Sequence, residues 1–234
     1  MNVTPADLAQ KIEHTLLNPE ATPVQIDALC DEAAANGFLA VCVNPVYVRQ
    51  AARRLEQAVA NRRLCVVSAA GFPLGANLSQ TKADEAARAL DDGASEIDMV
   101  MALGAFLAGN LVAVRRDIEA VAEVVHRTKG GVLKLILETA ALTTEQIILG
   151  CRCAAEGEAD FVKTSTGFHP AGGATVEHVR LLHRYASPMP VKAAGGIRTA
   201  LAAQAMIQAG AARIGTSHGV AIMEELRRTA ASRL

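Results

Sequence analysis

Seven short runs of nearly unbroken apolar residues recur along this chain, each separated from the next by a stretch with helical spacing. They are FLAVCV from Phe38, LCVVSAA from Leu64, EIDMVM from Glu96, VLKLIL from Val132, DFVK from Asp160, PVKAA from Pro190 and ARIG from Ala212. Runs that are apolar at successive positions read as strands buried on both faces. Glu13 to Leu17 supplies an eighth strand at the front. Strand and helix alternating over short connections call for parallel strands joined by helical crossovers. An open doubly wound sheet would satisfy the same alternation. Closure is favoured by the count of eight, by the lack of a polar edge strand, and by polar residues gathered at the strands' C-terminal ends. The expectation is an α/β fold, a (β/α)8 TIM barrel, with residues 1–234 forming a single catalytic domain and no linker or low-complexity tract.

Several helix starts are explicit. Thr22-Pro23-Val24-Gln25 combines a capping hydroxyl, a proline at the first helical position and a glutamine placed to close a capping box, and the helix ends near Gly37. Asn44-Pro45 opens a helix whose apolar face is Val48, Ala51, Ala52, Leu55 and Val59. Asn77 with Gln80, Asn110, and Thr143 with Gln146 open three more, and further starts fall near Thr199 and Ser217.

Composition excludes several functions. The 23 basic and 24 acidic residues nearly cancel, so no field gathers nucleic acid or an anionic membrane. With no tryptophan and two tyrosines there is no base-stacking platform. The early Asp7, Lys11 and Glu13 do not fit a signal peptide, and the longest charge-free run, Leu64 to Thr81, is broken by glycines and Pro73. A cytoplasmic location is expected. Cys30, Cys42, Cys65, Cys151 and Cys153 form an odd set without a CxxC pair, which reads as reduced packing residues. No histidine pair has metal-ligand spacing, and neither metal nor cofactor is expected.

Three of the six lysines lie inside strand runs: Lys134, Lys163 and Lys192. A buried ammonium without a partner tends to lose its proton, and a neutral amine is a nucleophile. At about 4 Å, in an effective dielectric near 20, two ammoniums repel by about 4 kcal/mol, roughly three pK units, so one of a close pair is expected to be neutral near pH 7. Strand ends read in order bring Cys42, Asp98, Lys134, Lys163 and Lys192 to one barrel face, a carboxylate among amines fit for acid-base work on an imine. The residues do not choose the nucleophile among the lysines. Thr166-Gly167, Gly172-Gly173, Gly195-Gly196 and Gly215-Thr216-Ser217 follow strands, where exposed backbone N–H groups can surround a phosphate. His169 can line the mouth of such a site, and His14 and His218 also fall near strand ends, whereas His126, His178 and His183 read as solvated on helices.

The chain resembles the deoxyribose-phosphate aldolases, a family of class I Schiff-base aldolases. The resemblance runs in order through IEHTLLNP at Ile12, VCVNP at Val41, GFPLG at Gly71, EIDMV at Glu96, LKLILET at Leu133, FVKTSTGF at Phe161, VKAAGGIRT at Val191 and RIGTS at Arg213. It implies that Lys163 forms the Schiff base and that Asp98 and Lys192 relay protons. It also implies reversible cleavage of 2-deoxy-D-ribose 5-phosphate to acetaldehyde and D-glyceraldehyde 3-phosphate. Lys134 is taken as a supporting charge and Cys42 as a neighbour of the substrate, with the glycine loops holding the phosphate. Glu13, where the family often has Asp, and His218 depart from the pattern and leave the phosphate and sugar-hydroxyl contacts open. The expected partners are small phosphosugars and aldehydes, and the sequence leaves oligomeric state open, a homo-oligomer included. Two rivals remain: a Schiff-base barrel with another donor, and a phosphosugar isomerase or binding barrel whose lysines only hold anions.

Overall fold

The computed structural model describes residues 4–58 and 64–231. Its strands are β1 (Ile12–Leu16), β2 (Ala40–Val43), β3 (Cys65–Ala70), β4 (Glu96–Val100), β5 (Val132–Ile136), β6 (Phe161–Lys163), β7 (Val191–Ala194) and β8 (Ala211–Thr216). Each pairs in parallel with the next, and β8 pairs with β1, so the sheet closes in sequence order. Helices α1 (Pro5–Ala9), α2 (Pro23–Asn36), α3 (Val48–Ala58), α4 (Ser79–Asp91), α5 (Leu103–Leu107), α6 (Leu111–Arg127), α7 (Thr144–Glu156), α8 (Val176–Tyr185), α9 (Ala200–Gln208) and α10 (Gly219–Ala231) are interleaved with the strands. The expected barrel is the observed one. No helix among the described residues is long and apolar enough to cross a membrane.

Most helix boundaries follow their caps. The Thr22 N–H donates to the Gln25 side chain at 2.9 Å, and Gly37 ends α2 in the left-handed region at φ 68°. Thr143 and Gln146 exchange backbone N–H donations at 2.9 and 3.3 Å. Two starts differ. Asn44-Pro45 opens a 3₁₀ turn, Pro45–Tyr47, and α3 begins only at Val48; its apolar face includes buried Val48, Ala51 and Leu55, while Val59 lies outside the described residues. Asn77 and Gln80 do not cap α4, which starts at Ser79 without a side-chain cap; Gln80 instead donates to Asp84 at 2.8 Å. Lys82, Ala83, Ala86 and Ala89 form the buried face of that helix.

Successive strand residues point alternately to helices and lumen. The outward set, including Val41, Ile97, Leu133, Leu135, Val162, Val191 and Ile214, joins the helices in the main apolar core. Inward positions divide into two halves. On the β2–β3 side the lumen is small and apolar, a separate cluster of Leu17, Ala40, Cys42, Val67 and Ala69. From β4 round to β1 it is charged.

A fourth buried lysine lies outside the barrel. Lys82 of α4 is fully buried, with its ammonium 2.6 Å from Asp117 of α6 and donating to the Val100 carbonyl at 3.0 Å. Its stem fills the space above Gly71, where a Cβ would come within 2.8 Å of it. Removing one member of such a pair leaves a buried charge uncompensated. Lys82→Ala is expected to lower unfolding free energy by about 3–5 kcal/mol, with Lys82→Met/Asp117→Leu recovering most of it. Urea midpoints of the three proteins check this; an unchanged midpoint for Lys82→Ala would contradict it.

Candidate active site

The charged half of the lumen is an ion cluster. Among the described residues it comprises three carboxylates, Glu13 of β1 with Glu96 and Asp98 of β4, and four cations, Lys134 of β5, Lys163 of β6, Lys192 of β7 and Arg213 of β8. Asp98 is central. One carboxylate oxygen accepts from Lys134 at 3.0 Å, and the other accepts from both Lys163 at 2.8 Å and Lys192 at 2.6 Å. Lys192 also donates to Glu13. Lys134 lies 2.6 Å from Glu96 and 3.6 Å from Glu13, and Arg213 bridges the same two carboxylates at 2.5 and 3.1 Å. The Arg213 guanidinium stacks 4.7 Å over the Phe161 ring.

Register explains the meeting. Asp98 pairs with Lys134 across β4 and β5, and Lys163 with Lys192 across β6 and β7, so all four share the lumen side of neighbouring strands. Burial opposes the Asp98 charge, but Lys134, Lys163 and Lys192 outweigh it and hold the carboxyl well below its usual range. Burial likewise opposes the charge on Lys192 and Lys134, and the carboxylates outweigh it, Asp98 foremost, raising both above the ordinary lysine value. These two amines stay cationic. Burial pushes the Cys42 thiol up to about 11, which makes it a packing group rather than a thiolate.

A cavity of about 310 Å³ opens above the cluster, bounded by the ends of β1, β6, β7 and β8. Lys163 lines it; Lys134 and Lys192 do not. Thr166, Gly167, Gly195, Gly196, Gly215, Thr216 and Ser217 line it as well, joined by Arg198 and His218. Gly167, Gly195 and Gly196 have φ of 86°, 91° and 78°, a conformation that folds bare backbone toward the opening. Gly173 packs on Gly195 so closely that a Cβ there would lie 2.3 Å from the Gly195 carbonyl oxygen. Glu138, itself at φ 59°, accepts from the Thr166 hydroxyl at 2.6 Å and from its N–H, fixing the turn after β6.

The structure revises where the expected residues sit. Strand ends were expected to supply all five of Cys42, Asp98, Lys134, Lys163 and Lys192, yet only Lys163 terminates its strand. Asp98, Lys134 and Lys192 lie deeper, in the lumen, and Cys42 is buried in the apolar half, so neither Cys42 nor Lys134 lines the cavity. The glycine loops and the Lys163 amine do come together. The helix expected near Ser217 begins at Gly219. His169 stays outside this cavity and lines an adjoining apolar one beside Phe168 and Pro170. His14 is buried on the outer side of β1, 2.7 Å from Glu32, while the helical His126 is not simply solvated but lies 3.0 Å from Asp160. Glu13, Glu96 and Arg213 were missed as members of the cluster, although their parity with Asp98 and Gly215 on β4 and β8 and with Thr15 on β1 marks them as inward.

A parallel barrel that concentrates charge in its lumen beneath an open cavity is equipped for chemistry, and the class is that of (β/α)8-barrel enzymes. The family model for DeoC/LacD family aldolases matches residues 7–225. A deoxyribose-phosphate aldolase of Thermococcus gammatolerans is 53% identical over 222 residues, covering 94% of this chain and 97% of that protein. One from Mycobacterium avium is 49% identical over 231 residues, covering 97% and 100%. Among solved structures, the tetrameric deoxyribose phosphate aldolase of Aeropyrum pernix superposes with a TM-score of 0.88 at 34% identity, covering 97% of this chain and 93% of that one. The chain belongs to the DeoC/LacD family of aldolases.

Proposed function

We propose that the chain reversibly cleaves 2-deoxy-D-ribose 5-phosphate to acetaldehyde and D-glyceraldehyde 3-phosphate through an imine on Lys163. One observation carries this reading: of the three lumen lysines, Lys163 alone reaches the cavity, and it alone touches a single carboxylate oxygen, one it shares with Lys192. Lys134 and Lys192 are each held by two or more carboxylates. The least compensated ammonium is thus the one next to substrate.

In the cleavage direction the neutral Lys163 amine adds to the C1 aldehyde, and loss of water leaves an iminium. A base takes the C3 hydroxyl proton, the C2–C3 electron pair flows into the iminium, and glyceraldehyde 3-phosphate departs. The remaining enamine takes a proton at carbon from the Asp98–Lys192 pair acting through a water, and hydrolysis releases acetaldehyde and the amine. Lys192 stays cationic, so it supplies both a transferable proton and a positive field beside the developing alkoxide. The Gly195-Gly196 and Gly215 to Ser217 loops receive the phosphate across the cavity. With this reading go a cytoplasmic location and, by likeness to the tetrameric Aeropyrum pernix enzyme, a homo-oligomer.

The test is borohydride reduction in the presence of acetaldehyde, followed by mass mapping of peptides. An ethyl group on Lys163 is expected. Labelling on Lys134 or Lys192, or no labelling, would overturn the assignment, and activity with dihydroxyacetone phosphate but not acetaldehyde would point to a different donor.

A further inference from the structure

The reading of Lys163 as nucleophile requires an amine that gives up its proton near neutrality, yet Asp98 at 2.8 Å holds that proton in place. The rest of the lumen supplies the opposing influence. Four cations face three carboxylates there, and one of the four cannot yield. A guanidinium does not deprotonate in a protein, so Arg213 contributes a fixed positive charge, lodged against Glu13, Glu96 and the Phe161 ring. Lys134 and Lys192 are each clamped between carboxylates. An excess of positive charge can then be relieved only at Lys163, which faces the cavity and one shared oxygen.

We propose that Arg213 and Glu96, neither of which lines the cavity, are positioning residues that set how much of Lys163 is free amine by fixing the charge balance of the lumen. This rests on Lys163 being the nucleophile. The groups facing Lys163 are Asp98 from β4, Lys192 from β7, Lys134 from β5 and Cys42 from β2. Behind them stand Glu13 from β1, Glu96 from β4 and Arg213 from β8. At the mouth lie Glu138 after β5, engaged by Thr166, and Arg198 and His218 after β7 and β8. Of the three that stand behind, the charged groups of Arg213 and Glu96 touch neither Asp98 nor Lys192, although Glu96 meets Lys134 at 2.6 Å.

The pair predicts shifts of opposite sign. Replacing Arg213 by a neutral residue removes a repelling charge, so the Lys163 proton is held more tightly. Replacing Glu96 removes an attracting charge, so it is held less tightly. A unit charge about 10 Å away in an effective dielectric near 20 is worth roughly one pH unit.

The experiment is the initial rate of borohydride trapping with acetaldehyde as a function of pH, in the full-length protein. The acid limb should move up by about one unit in Arg213→Gln and down by a similar amount in Glu96→Gln. It should stay in place in Arg213→Lys and return close to wild type in the Arg213→Gln/Glu96→Gln double variant. Limbs that do not move, or that move the same way in both single variants as loss of packing would cause, overturn the inference. If Arg213→Gln does not fold, Glu96→Gln decides alone, since a downward shift is required of it. Wild-type protein that is not labelled at Lys163 defeats the proposed function itself, whereas labelling there with stationary limbs defeats only this inference.

Discussion

Lys163→Ala is expected to abolish both cleavage of the sugar phosphate and borohydride trapping, while leaving the protein at least as stable as wild type. The catalytic part follows from the nature of the step. Without an amine in the cavity no iminium forms, and deprotonation next to an ordinary aldehyde has no electron sink, so turnover should fall by about 10⁴-fold or more. Lys134 and Lys192 cannot substitute, because neither lines the cavity and both are held as cations by carboxylates. The stability part follows from the count of charges. Deleting Lys163 leaves Lys134, Lys192 and Arg213 against Glu13, Glu96 and Asp98, an even balance, and Asp98 retains two ammonium donors. Steady-state cleavage and a urea titration of the same preparation measure both parts. Near-normal turnover would remove Lys163 from the mechanism. A large drop in midpoint would mean that its ammonium is a structural counterion for Asp98.

That pairing of effects depends on the lumen, the part of the molecule least legible in the sequence. The barrel itself could be read because each strand is short, β-rich and flanked by capping residues, and Thr22, Asn110 and Thr143 cap where their side chains suggest. Runs such as EIDMV and VLKLI read as buried on both faces despite the charges they carry, but their alternate positions serve two different interiors. Ile97, Leu133 and Leu135 meet helices, whereas Glu96, Asp98 and Lys134 meet one another across the lumen. A single strand shows that a charge is buried and not what it faces. Only closure brings Glu13 of the first strand beside Lys192 and Arg213 of the last two. Lys82 was invisible for a related reason: within KADEAARAL it looks like one more solvated helix charge, and its partner Asp117 lies on another helix. The glycine loops were easier, since Gly195-Gly196 follows β7 directly, Gly215 stands at the end of β8, and the two converge once the barrel closes. The start of α4 resisted because it falls at Ser79, two residues past Asn77, with no side-chain cap to mark it.

Asp98→Asn is the second large effect, and it divides differently between chemistry and folding. The side chain keeps its shape but exchanges a carboxylate that serves three ammoniums for a neutral amide, leaving four cations against two carboxylates in a buried space. Loss of a buried partner of this kind costs about 3–5 kcal/mol, so the urea midpoint should drop substantially at pH 7. The pH dependence has a definite sign. Because the folded-state pKa of Asp98 is depressed, its contribution is complete above the unfolded value of about 3.9 and is lost only as pH falls below that toward the folded one. The gap between wild type and variant should therefore be constant near neutrality and narrow below about pH 4. Imine formation should survive, since removing a carboxylate weakens the hold on the Lys163 proton, and acetaldehyde should still be trapped there. Proton exchange at the acetaldehyde methyl should slow by about 10²–10⁴-fold, the usual contribution of a positioned general base, and overall turnover with it. Deuterium exchange followed by NMR, beside trapping on the same sample, separates the two steps. Undiminished exchange would assign the base elsewhere, and loss of trapping together with exchange would mean that Asp98 orients the nucleophile rather than moving the proton.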